Sequence, residues 1–153
     1  MGILVALVLA AQPPKVLVPG QSLGGIRVGD TPARVTHLWG PRHGVCRSCA
    51  RLTWFFNARP FKPQGIGVTF RRGRVAAAYT VWMPTGWKTN AELRIGDPSA
   101  SLTALYGALP RIACPGYDTY TLGTTTRIYV QQNRVWGFGL TRPGEPPCRE
   151  ARA

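Results

Sequence analysis

Four cysteines, two histidines and six carboxylates are the residues of this 153-residue chain whose chemistry reaches beyond packing. Cys46 and Cys49 form a C-x-x-C pair, while Cys114 and Cys148 stand 34 positions apart. Such cysteines can serve three chemistries. A zinc site takes four ligands, usually in two short-spaced pairs, and only one such pair is present. A thioredoxin-like dithiol places C-x-x-C at a helix start behind a strand, whereas Cys49 is followed by RLTWFF, a strand-like run. Disulfides are therefore the reading, with a thiol–disulfide protein as the remote alternative. Four cysteines allow three pairings. The turn-rich HGVCRSC makes a local Cys46–Cys49 bridge feasible, which leaves Cys114 to pair with Cys148 and tie down the RPGEPPC tail. Closing a loop of that size is worth about 3–4 kcal/mol in the chain-entropy model.

Acid–base or nucleophilic catalysis needs titratable groups that converge. His37 and His43 fall within or just after one helix, and His37 reads as an exposed helix-face residue. Asp30 and Asp97 read as helix caps. The chain has no Gly-rich phosphate loop and no Gly-x-Ser-x-Gly elbow. It is read as a non-enzyme, with no catalytic residue, metal or cofactor expected.

The elements that must position these residues follow from an internal repeat. Residues 25–40 read GIRVGDTPARVTHLWG and residues 92–107 read ELRIGDPSASLTALYG, with seven of sixteen positions identical at an offset of 67. Cys46 and Cys114 follow at nearly equivalent places. In each copy Asp30 or Thr31, and likewise Asp97, suit an N-cap, with Pro32 and Pro98 in the first turn. Val35, Leu38 and Trp39 share one helical face, repeated by Leu102, Leu105 and Tyr106, and Gly40 and Gly107 end the helices.

Strands follow each helix. Residues 52–56 alternate as a strand. A hairpin then runs from Gly67–Phe70 through Arg71–Arg74 into a strand from Val75 to Trp82, and another runs from Arg127–Val130 through Gln131–Arg134 into Val135–Thr141. At an offset of 60, Gly73 matches Asn133, both suited to positive φ. The bulky residues of the outgoing strands have opposite parity: Val75, Tyr79 and Val81 against Trp136, Phe138 and Leu140. Either the sheet faces differ or the register slips by one.

The amino-terminal ILVALVLAA, with Val8 and Ala10 at small-residue cleavage positions, reads as a signal peptide over residues 1–11. The basic residues that usually precede such a run are missing here, as they would be if the true start lay upstream of Met1. A buried strand is the competing reading. The remaining boundaries are a Pro-rich leader at 12–21, repeat 1 at 22–83, a linker at 84–91, repeat 2 at 92–142 and a tail at 143–153 tied by Cys148. No apolar run approaches the ~20 residues of a membrane span. Hydrophobic residues make up 44% of the chain, enough for a packed core. The net charge of +13 rests on 16 arginines among 19 basic residues, most of them scattered. That bias fits GC-rich codon usage as well as a polyanion partner.

The pattern around "Val/Ile-Gly-Asp" and "Leu-Trp/Tyr-Gly", met at Val28–Asp30 with Leu38–Gly40 and again at Ile95–Asp97 with Leu105–Gly107, resembles the opening of the small α+β repeat of the beta-lactamase-inhibitor-protein-like and BamE (SmpA/OmlA)-like families. The resemblance covers roughly residues 22–142. It implies an α+β fold of two tandem repeats, each a short helical segment followed by antiparallel strands, sharing a sheet-based core. It transfers no binding residue. The lipidated cysteine of BamE-like proteins has no counterpart directly after the expected signal. The function expected is that of a secreted or cell-envelope, non-catalytic interaction domain, monomeric, with an unknown protein partner. The alternative is a binder of nucleic acid or cell-wall polymer. Trp82 and Trp87, flanking Pro84 and Gly86, and the hairpin arginines Arg71, Arg72 and Arg74 form the expected binding surface. Both tryptophans could equally plug the junction between the repeats.

Overall fold

The computed structural model describes residues 14–56, 65–81 and 86–148. Residues 1–13, with the expected signal peptide, and Trp82 lie outside them. The elements follow in order as β1 (Val16–Val18), β2 (Ser22–Leu23), α1 (Pro32–Trp39), β3 (Gly44–Val45), β4 (Thr53–Phe55), β5 (Gly65–Arg71), β6 (Arg74–Val81), β7 (Lys88–Thr89), α2 (Ser99–Tyr106), β8 (Arg111–Cys114), β9 (Tyr117–Leu122), β10 (Thr126–Gln131) and β11 (Arg134–Thr141). The fold is α+β. An antiparallel eight-stranded sheet runs β3-β4-β5-β6-β11-β10-β9-β8, and a three-stranded sheet runs β2-β1-β7, with β1 and β7 parallel.

The two hairpin tips use the residue types that tolerate positive φ. Arg72 and Gly73 sit at φ 51° and 71°, and Gln132 and Asn133 at 50° and 58°. Each hairpin carries a bulge at the same place, between Thr69 and Phe70 in one and between Tyr129 and Val130 in the other. Thr69 pairs Ala77 and Tyr129 pairs Gly137, so the offset of 60 survives both bulges and no register slip occurs. The parity difference is one of faces. Across the central β6–β11 pair Phe138 opposes Thr80 and Leu140 opposes Ala78, while Val81 opposes Gly137 and Tyr79 opposes Gly139. The two strands lie side by side, so a bulky residue on one needs a small one on the other.

One face of the large sheet carries the main core. Val68, Phe70, Val75, Ala78, Ile128, Val130, Phe138 and Leu140 pack with Val35 of α1, Leu102 of α2 and Leu17, Leu23 and Trp87 around the small sheet. The segment expected as a leader, 12–21, therefore contributes a strand with Leu17 fully buried. The expected linker supplies β7 and the buried Trp87. Thr89 of β7 is wholly buried, its hydroxyl accepting from Tyr106 Oη at 2.8 Å and from the Leu93 amide at 3.2 Å.

The aspartates differ from expectation. Asp30 and Asp97 cap no helix. Each carboxylate accepts from the amide three residues earlier, Arg27 and Arg94, at 2.8 Å, closing the turn ahead of the helix. Thr31 caps α1, accepting from Arg34 N, and Pro98 occupies the N-cap of α2 without a side-chain bond. The glycine between each pair bonds the facing hairpin: Gly29 N donates to Val75 O, and Gly96 N donates to Val135 O, both at 2.8 Å. Leu105 also departs from its expected face and is 47% exposed, since α2 presents only Leu102 squarely to the core.

Candidate functional site

The opposite face of the large sheet is where the helices are not. A smaller cluster of Phe55, Tyr79, Val81 and Tyr129 lies there, with Cys46, Cys49, Tyr117 and Trp136 against it. Its organisation is a set of rows running across the strands. Gly44, Phe55, Gly67, Tyr79, Gly139, Arg127 and Thr121 are successive register partners from β3 to β9. Glycines thus alternate with large side chains along this row. A methyl group on Gly67 would overlap the Tyr79 phenol, and one on Gly139 would overlap that of Tyr129. The next row is short and polar: Thr53, Thr69, Ala77 and Thr141.

Two disulfides hold covering segments against this face. Cys46–Cys49 closes the turn before β4, and Cys114–Cys148 fastens the tail to β8. Between these anchors the tail sends Glu145 to Arg51 in an ion pair, with Arg71 Nη1 at 3.7 Å from its other oxygen. Thr119 Oγ1 donates to Pro147 O at 3.1 Å. What remains between them is a cavity of about 300 Å³. Its floor is the threonine row with Phe55, Tyr79 and Tyr129. Its walls are Cys49–Arg51 on one side and Glu145, Pro146 and Cys148 on the other.

Burial is heavy for the polar groups here. Glu145 is 8% exposed, Thr53 3% and Thr141 5%. Arg127, on the same face, is 7% exposed; its Nη1 donates to Thr126 O at 3.2 Å and its Nε has no hydrogen-bond partner. Among the described residues no group of three or more His, Cys, Asp or Glu side chains could hold a metal ion.

The surface expected from sequence is only partly present. Trp87 is 4% exposed, its ring 6.2 Å from that of Trp39 in an edge arrangement, and it offers nothing to a partner. It is core because β7 carries it beneath α1. The arginines divide. Arg74 Nη1 donates to Gly29 O at 3.4 Å, Arg71 turns towards Glu145, and Arg72 stands exposed at the tip. His37 is exposed on α1, whereas His43 stacks on Trp54 at 3.8 Å between ring centres. The cavity was not visible in the sequence, because its threonines come together through cross-strand register and not through spacing.

No protein-family model matches the chain, and no curated protein matches it. Among solved structures, the chain is similar to a cysteine-rich secretory protein from Staphylococcus aureus, with 20% sequence identity and a TM-score of 0.46. The match covers 86% of this chain and 47% of that one, so this chain spans about half the length of the solved protein. Among the described residues no helix is long and apolar enough to cross a membrane.

Proposed function

We propose that this is an extracytoplasmic, non-catalytic binding domain that engages a protein partner through the helix-free face of its large sheet. The carrying observation is the cavity on that face, walled by two segments that are each fastened by a disulfide. Ligand sites are concave, mostly apolar and carry a few placed polar groups, and this one matches that description. Its lining is threonine, tyrosine, phenylalanine, alanine and proline, with the disulfide-bonded Cys49 and Cys148 and one ion pair, not a nucleophile beside a base. Disulfides persist in oxidising compartments, which supports export.

The same reading takes the chain as two copies of one α+β unit. Four observations support it: the paired Asp30 and Asp97 turns, the matching Gly29 and Gly96 bonds, the matching hairpin tips, and the bulges at equivalent positions. Residues 22–142 would hold both copies, and the molecule would be a monomer.

The test is binding by paired surface variants in the exported fraction of an expressing bacterium. Ala77→Arg alters the cavity floor, and Leu105→Arg alters the helix side. The expected result is that a captured partner is lost with the first and kept with the second. The reverse pattern rejects the helix-free face. Intact mass four hydrogens below the reduced value supports both disulfides and export, and four free thiols reject them.

A second reading, binding of a polyanion, draws on the exposed Arg72 tip and the net charge of +13. It requires retention on heparin or DNA with a steep salt dependence. Elution below physiological salt rejects it.

A further inference from the structure

We propose that the cavity accepts one uncharged pyranose ring, either a free sugar or the end of a glycan. This rests on reading the helix-free face as a binding face and names what its central cavity holds.

The hydrogen-bond directions on the floor define the ligand. A threonine hydroxyl has one proton and two lone pairs. Thr53 donates to Arg51 O at 3.1 Å. The Thr69 hydroxyl lies 3.1 Å from that of Thr53, and since the Thr53 proton is already engaged, Thr69 is the donor in that contact. Thr141 donates to Thr125 O at 3.4 Å. All three hydroxyl protons are therefore engaged within the protein, and a ligand that uses these hydroxyls must bring its own donors.

The spacing favours a ring. Thr53, Thr69, Ala77 and Thr141 occupy four adjacent strands in register, which stand about 4.8 Å apart. Acceptors on either side of Ala77 are thus about 10 Å apart at the backbone, with only a methyl group between them. A six-membered ring seated over Ala77 can direct a hydroxyl to each side while its C–H surface meets Tyr79 and Tyr129. Charge selects further. The ionised groups that line the cavity, Arg51 and Glu145, are paired with each other, with Arg71 also reaching Glu145, and Arg127 shares the face without lining the cavity, so the lining holds no unpaired ion. A cavity of about 300 Å³ is at the small end for ligand sites and suits one ring rather than several.

The test uses the oxidised full chain, titrated with methyl glucopyranoside, glucose, glucuronate and tetrahydropyran while methyl NMR signals of Ala77, Thr69 and Thr141 are followed. Saturable shifts of these methyls with the methyl glycoside, at a Kd of about 1 mM, support the proposal. Response to the glycoside as well as to glucose identifies a chain end, and response to glucose alone a free sugar. Shifts as large with tetrahydropyran, which has no hydroxyl, overturn it, as does tighter binding of glucuronate. Absence of any shift overturns it too. Thr69→Val, nearly isosteric, should weaken the glycoside several-fold with the disulfides intact, and Ala77→Phe should abolish binding. A protein that ignores every sugar yet loses its captured partner on Ala77→Arg refutes the pyranose and leaves the binding face standing. One whose sugar and partner binding both survive Ala77→Phe and Ala77→Arg refutes both.

Discussion

The phenol of Tyr79 occupies the space in which a side chain on Gly67 would stand. The two residues are register partners on β6 and β5, and on its other side Tyr79 pairs Gly139, over which Tyr129 leans. Glycine in mid-strand weakens a sheet by itself. Here it lets two tyrosines lie down on the helix-free face and floor a cavity instead of standing up to fill it.

Gly67→Ala should therefore destabilise the domain by about 1–3 kcal/mol, the usual cost of overpacking. Gly73→Ala would meet nothing within 4 Å but sits at φ 71°, so its cost is that of strain in the turn. A double-mutant cycle in urea separates the two. Gly67→Ala and Tyr79→Leu should couple by about 1 kcal/mol or more, whereas Gly73→Ala and Tyr79→Leu should be additive.

The two disulfides should differ in weight. In the chain-entropy model, replacing Cys114 and Cys148 by serine, at a separation of 34, costs about 4 kcal/mol, and opening the three-residue separation of Cys46–Cys49 costs about 2 kcal/mol. Only the first also frees the tail that carries Glu145. Chemical denaturation of the two double-serine variants measures the ranking. Proteolysis of the tail, monitored by mass, should accelerate in the Cys114/Cys148 variant and stay unchanged in the other.

Much of this architecture was legible because local chemistry dictates it. The tips at Gly73 and Asn133 demand residues that accept positive φ, and Gly40 and Gly107 end helices at φ 91° and 74°. The small sheet was not legible. Its strands are two or three residues long, too short for a period of two to show, so Val16–Val18 read as leader and Trp87 as linker. The β8–β9 hairpin is only faintly marked in the sequence. Its signals are Pro115-Gly116 at the turn and the alternation in Tyr117–Leu122, where Thr119 is fully buried and the neighbouring positions are not. Nothing in the spacing of Thr53, Thr69 and Thr141 brings them together. Register does that, and register is a property of the folded sheet.

The titration of Glu92 is shifted by its neighbours. Its Oε1 accepts from Lys88 Nζ at 2.6 Å, and Arg94 is 3.2 Å from the other oxygen. The Lys88 hydrogen bond first, helped by that of Arg94 and by the two positive charges, outweighs the opposing desolvation and holds the carboxyl below the ordinary carboxylate range. A depressed folded-state pKa stabilises above the unfolded value and loses that contribution as pH falls through the folded one. The group is exposed, so the effect on stability is small and weakened by salt. Carboxyl-carbon NMR should give a midpoint for Glu92 below that of a model peptide, rising towards it in Lys88→Met. Glu92 also holds φ 68° at the position matching Gly25, itself at 81°. Glu92→Gly should accordingly relieve about 1 kcal/mol of backbone strain while giving up both ion pairs.

Arg127 sets packing against charge. It is a buried guanidinium on the cavity face, with one hydrogen bond to a backbone carbonyl and an Nε that bonds nothing. Among the described carboxylates, Asp30 and Asp97 accept backbone amides, Glu92 holds Lys88 and Arg94, Asp118 holds Arg111, and Glu145 holds Arg51. None is paired with Arg127. Removing an ionised group from water costs several kcal/mol, which only good pairing recovers. Arg127→Met keeps most of the volume and removes the charge, so stability in urea should stay level or rise by about 1–2 kcal/mol. Arg127→Ala removes the packing as well and should fall below wild type. If Met proves as damaging as Ala, the guanidinium is itself contributing, and an anion belongs beside it. Addition of chloride or phosphate would then raise the melting temperature of the wild type and leave that of Arg127→Met unmoved.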